Sequence, residues 1–120
     1  MTAKLISFDQ IDQGMVPQAV LKRPIREVAN QFDTTVVRGH DDLDSFEGVA
    51  ILINDKIPVA LKHYRGYPDK TVTVYLPATV HRLKRIEKLL ARILLELRLS
   101  HDEIVWQRSD WMTESEHDIT

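Results

Sequence analysis

The most regular stretch of the chain lies between Val49 and Leu76, where apolar and polar positions exchange with a period of two. Val49 to Ile53 is a continuous apolar run of strand length, Asn54-Asp55-Lys56 supplies turn residues, and Ile57 to Arg65 alternates. Ile57, Val59 and Leu61 fall on one face, Pro58, Ala60, Lys62 and Tyr64 on the other. After the loop Gly66 to Lys70, Thr71 to Leu76 alternates again, with Val72, Val74 and Leu76 inward and Thr71, Thr73 and Tyr75 outward. Consecutive runs of this kind joined by short turns predict an antiparallel meander with one dry and one wet face. Pro58 cannot donate to a ladder, so it belongs near the start of its strand or on an edge.

Elsewhere the period changes to that of a helix. From Val80 to Leu99 the residues Leu83, Ile86, Leu90, Ile93, Leu94 and Leu97 fill one broad face, and Thr79 is the expected N-cap. Ile25, Val28, Ala29 and Phe32 carry the same spacing, which places a short helix over about 24–33 with Pro24 in its first turn. Leu5 to Phe8 and Thr34 to Arg38 read as short strands, Gly14 and Pro17 as irregular chain, Gly39 to Gly48 as a loop, and Ile104 to Trp106 as a last strand with Trp106 in the core. The expected fold is therefore α+β, a two-layer sandwich. An antiparallel β-meander packs against one long C-terminal amphipathic helix, with a short N-terminal helix and a final short strand. Residues 1–109 form a single domain, its first 14 residues irregular, and 110–120 an acidic tail expected to be partly disordered.

Composition narrows the chemistry. The 120 residues include no cysteine, which excludes a disulfide framework, a thiol nucleophile and a thiolate zinc site, and makes the cytoplasm the expected location. The start MTAKLISF is too short and too polar for a signal peptide. The most apolar segment, Ile86 to Leu99, carries Glu87, Lys88, Arg92, Glu96 and Arg98, so no membrane span is expected.

A net charge of −2 conceals a segregated chain. Residues 1–55 hold five basic and nine acidic side chains, net −4; residues 56–99 hold ten and three, net +7; residues 100–120 hold one and six, net −5. Either the acidic ends neutralise the basic middle within one fold, or the middle faces an anionic partner.

Motifs for catalysis are missing. The loop with His40, Asp41, Asp42, Asp44 and Glu47 gathers metal-ligand types, yet counted from Asp42 the third ligand position of a calcium loop is Phe46 and the glycine position is Glu47. A metal-dependent hydrolase or nuclease at His40–Glu47 is thus the least favoured reading. The pairs His40-Asp41, His101-Asp102 and His117-Asp118 fall in a loop, at a helix end and in the tail, unlike the helical metal site of HD phosphohydrolases. An HNH nuclease built on His40, Asn54 and His63 fails because His63 lies in an alternating strand. There is no G-x-S-x-G and no glycine cluster to cradle phosphate. No catalytic residue, metal or cofactor is assigned.

Two binding signals remain. Lys84, Lys88 and Arg92 recur every four residues with Arg85 and His81 adjoining, and Lys62, Arg65 and Tyr67 add cationic and aromatic groups, the equipment of a nucleic-acid surface. Features for base readout are lacking while acids are plentiful within the chain, so the ridge reads first as a solvated face or a dock for the acidic loop or tail. Tyr64, Tyr67, Tyr75 and Trp111 are the candidate contacts for a protein partner. The leading expectation is a small non-enzymatic adaptor or regulatory protein that binds protein, itself included as a homodimer; the alternative is nucleic-acid association through the basic face.

Overall fold

The alternation between Val49 and Leu76 becomes the middle of a wider open sheet. The computed structural model describes residues 3–11, 14–40 and 44–108. Its strands are β1 (Ala3–Leu5), β2 (Met15–Leu21), β3 (Val37–His40), β4 (Ser45–Ile53), β5 (Ile57–Tyr64), β6 (Val72–Pro77) and β7 (Ile104–Gln107), and its helices α1 (Ile25–Gln31) and α2 (Leu83–Leu97). The strand order is β1-β4-β5-β6-β2-β7, with β3 also paired to β4. Every pairing is antiparallel. The class is α+β.

Local chemistry explains the meander. Asn54 and Asp55 both adopt positive φ, 56° and 60°, and Lys56 N–H donates to Ile53 C=O at 3.1 Å, a type I′ turn that suits these two residue types. It aligns β4 and β5 from Ile53↔Ile57 to Phe46↔Tyr64. In that register Val49, Ile51, Ile53, Val59 and Leu61 share a face, joined by Val72, Val74 and Leu76 of β6. The same apolar cluster takes in Ile25, Val28 and Ala29 of α1 and Ile86, Leu90, Ile93, Leu94 and Leu97 of α2. One helix stripe and one strand parity thus close on each other.

Several expectations change. Pro17 lies inside a strand: β2 pairs with β6 over its length, whereas β7 reaches only Ala19 to Leu21. Pro17 sits beyond that contact, on a stretch whose outer side no described strand pairs, where a missing N–H costs little. The stretch read as the loop Gly39 to Gly48 is largely a hairpin, with β3 and β4 paired from Val37↔Gly48 to His40↔Ser45. It survives its charges because Glu47 is held by Arg26 at 3.1 Å and Arg38 at 3.5 Å. α2 begins at Leu83, with Arg82 rather than Thr79 as N-cap and no side-chain cap. Residues 77–80 instead form a turn, Val80 N–H to Pro77 C=O at 2.9 Å, that buries Val80 before the helix starts. Pro24 is the extended N-cap of α1, not its first helical residue. β1 ends at Leu5, and Phe8–Gln10 is a 3-10 turn closed by a reciprocal Ser7–Gln10 capping box. The acidic tail lies outside the described residues.

Candidate interaction surfaces

The second face of the sheet was expected to be wet. Instead it carries an aromatic cluster, because the outward parity of the meander places Phe46, Tyr64 and Tyr75 side by side and the 3-10 turn adds Phe8. Phe46 and Tyr64 meet edge-on with centroids 5.7 Å apart, Tyr64 and Tyr75 at 6.3 Å, and Phe8 and Phe46 at 5.5 Å. Gly48 makes room: a Cβ there would lie 2.7 Å from Phe8 Cζ and 3.0 Å from Leu61 O. Gly39 does the same for Phe46, whose ring would stand 2.6 Å from an added Cβ.

Lys62 projects into this cluster. Its Nζ lies 4.3 Å from the Phe46 centroid, 5.4 Å from Tyr75, 5.5 Å from Tyr64 and 5.9 Å from Phe8, and donates to Tyr64 Oη at 3.3 Å. Cation–π attraction and a hydrogen bond therefore engage the ammonium inside the chain. Tyr64 is 3% exposed and Tyr75 8%, so these two candidate partner contacts are internal; of the three tyrosines only Tyr67, its ring tilted against Tyr64 at 5.5 Å, is open to solvent. Trp111 lies outside the described residues.

The basic residues do not form one surface. Lys62 belongs to the aromatic face, while α2 packs on the opposite, aliphatic face. Arg65 follows the end of β5, whereas Arg85 shares a groove of about 520 Å³ with Ile57 and Pro58 at the start of β5. Eight strand residues, about 25 Å, separate the two. On the helix, Arg92 pairs with Glu96 at 2.9 Å. Lys84, Arg85 and Lys88 are exposed, line a second groove with Arg82 and Leu83, and have no carboxylate within 4.0 Å among the described residues.

At the hairpin, His40 Nδ1 lies 3.1 Å from Ser45 Oγ, and Asp44 Oδ1 accepts from Ser45 N–H at 2.7 Å. Glu47 is held by its two arginines, and Asp41 and Asp42 lie outside the described residues. Among the described residues no three His, Asp or Glu side chains gather to hold a metal. Elsewhere Lys4 donates to Asp55 at 2.8 Å, and that hydrogen bond and charge lower the pKa of the exposed carboxyl from its ordinary value.

One surface was missed by sequence reasoning. β7 ends the sheet, and no described strand lies on its outer side. Leu21 pairs with Ile104 and Val20 with Trp106, so Val105 is the extra residue of a bulge. Val105 is 61% exposed and Trp106 41%, which overturns the expectation that Trp106 is buried. Trp106 stands opposite Val20, beyond the reach of the helices on the other face. The available signal was the brevity of this last strand, which favours an edge.

Compared with protein-family models, curated protein sequences and solved structures, the chain matches none. Among the described residues no helix is long and apolar enough to cross a membrane.

Proposed function

We propose that the chain is a non-enzymatic adaptor or regulatory protein of the cytoplasm that binds protein through the β7 rim, a second copy of itself being the first partner to test. Its frame is a two-layer sandwich, with the meander backed by the long α2. The observation that carries this reading is the adjacency of Val105 and Trp106, two large apolar side chains exposed together on an edge strand. Exposed tryptophan beside aliphatic surface is the composition of a binding hot spot. The bulge interrupts the outer ladder, so the rim favours side-chain contact over addition of a further strand.

Sedimentation of the full chain across a concentration series tests it. The native chain is expected to self-associate or to retain a protein in pull-downs, and Val105→Asp with Trp106→Ala to abolish either without lowering the melting temperature. A monomer at high concentration that retains no protein removes the proposal.

The reading as a nucleic-acid-associated protein keeps one support, the exposed Lys84, Arg85 and Lys88. It loses Lys62 to the aromatic cluster and rests on the helix alone. Its signature is DNA or RNA binding that weakens with salt and with Lys84→Glu and Lys88→Glu.

A further inference from the structure

The end of the sheet beside the start of α2 is left open as a groove. The Asn54-Asp55 turn delivers Lys56 to the entrance of β5, whose first residues are Ile57 and Pro58. β6 ends at Pro77, and the turn that follows is tied on both sides. Val80 N–H donates to Pro77 C=O at 2.9 Å and Ala78 N–H to Gly14 C=O at 2.8 Å, next to the Met15↔Pro77 pair that starts β2. α2 then begins at Leu83 and brings Arg85 to the same groove. Walls fixed by backbone hydrogen bonds and prolines need no ordering when a ligand arrives. The volume between them, about 520 Å³, falls in the range of about 300–1,000 Å³ that small-molecule sites occupy.

The lining divides by chemistry. Met15, Ile57, Pro58 and Val80 supply apolar surface, while Lys56, Thr79 and Arg85 supply an ammonium, a hydroxyl and a guanidinium. No acidic side chain among the described residues lines the groove. Asp55, beside Lys56 in sequence, is held by Lys4 at 2.8 Å, and Glu87 lies two residues beyond Arg85, about 200° around the helix. Neither Lys56 nor Arg85 has a carboxylate within 4.0 Å among the described residues. Two cations over an apolar floor select a ligand with an anionic head and an apolar body. The paired N–H groups of a guanidinium match the two oxygens of a carboxylate. A phosphate head is typically cradled by a glycine-rich loop, which the chain lacks.

We propose that this groove binds a small amphiphilic carboxylate, its apolar body on Ile57, Pro58 and Val80 and its head held by Arg85 and Lys56. The inference is independent of the β7 rim as a partner site, and it uses only Arg85 of the exposed helix cations.

Titration of the isotope-labelled full chain with octanoate, below its micelle concentration, tests it. The expected result is saturable shifts of the Ile57 and Val80 methyl signals and of the Lys56 and Arg85 amides. Octanol, with the same chain and no charge, should bind about tenfold more weakly, as should octanoate to Lys56→Gln combined with Arg85→Gln. Ala78→Trp, at an exposed position on the wall, should block the groove at an unchanged melting temperature. Lys84→Glu with Lys88→Glu, outside this groove, should leave octanoate affinity within about twofold of native, which separates the site from nucleic-acid binding along the helix. Absence of saturable shifts at the groove overturns the proposal. So do equal affinities for octanoate and octanol, or native affinity in the doubly neutralised variant, whether or not Ala78→Trp folds. Tighter binding of octyl phosphate than of octanoate overturns the assignment of the head as a carboxylate.

Discussion

The two faces of the sheet are built from the same strands yet are held by different physics. On one, Val49, Ile51, Ile53, Val59, Leu61, Val72, Val74 and Leu76 meet two helices in an aliphatic core. On the other, Phe8, Phe46, Tyr64 and Tyr75 surround Lys62, and Phe8 and Ile11 of the N-terminal segment pack against the cluster. Aliphatic burial depends on area and packing volume and is largely indifferent to direction. The aromatic face depends on ring angles, on a cation placed over the rings and on glycines that admit them. A strand can therefore be buried on both sides without being apolar on both sides.

The largest expected effect is on the aliphatic face. Ile51→Ala, at a fully buried position, should lower the unfolding free energy by about 2–5 kcal/mol in a denaturant titration. A smaller loss would show that the helices collapse onto the cavity. Three residues earlier on β4, Gly48→Ala intrudes on the aromatic side, at Phe8 Cζ and Leu61 O, and should cost about 1–3 kcal/mol. Combining it with Phe8→Ala should cost less than the two separate losses together, since the ring causes most of the clash; strict additivity would assign the cost to the backbone of β5 instead. The smallest effect is Lys62→Met, which keeps an unbranched stem but removes the charge. A loss of about 0.5–1 kcal/mol in thermal unfolding would measure what the ammonium contributes, its place over the rings together with its hydrogen bond to Tyr64 Oη. No loss would mean that the face holds without the ammonium.

How much of this is legible in the residues differs by element. The meander and both helices follow from local periodicity, since a period of two or of 3.6 is written in neighbouring side chains. Asn54-Asp55 likewise announces its own turn. Pro17 misled because its tolerance depends on how far β7 extends along β2. Phe46 and Glu47 were read as loop because the glycine that receives the one and the arginines that hold the other lie on different elements. Of the surfaces, the exposed Lys84, Arg85 and Lys88 were visible as a helical ridge. The separation of Lys62 from that ridge was not, although the outward parity of Tyr64 and Tyr75 already departed from an ordinary wet face.

The sequence by itself determined the meander, both helices, the inward parity of the meander strands and the segregation of charge into a basic middle and acidic ends. Tertiary structure decided which strand became an edge, what covers the second face and which cations remain exposed. The physical reason is range. Periodicity and turn chemistry act between near neighbours, whereas burial of Tyr64, exposure of Trp106 and capture of Lys62 depend on which distant segments the folded chain brings alongside.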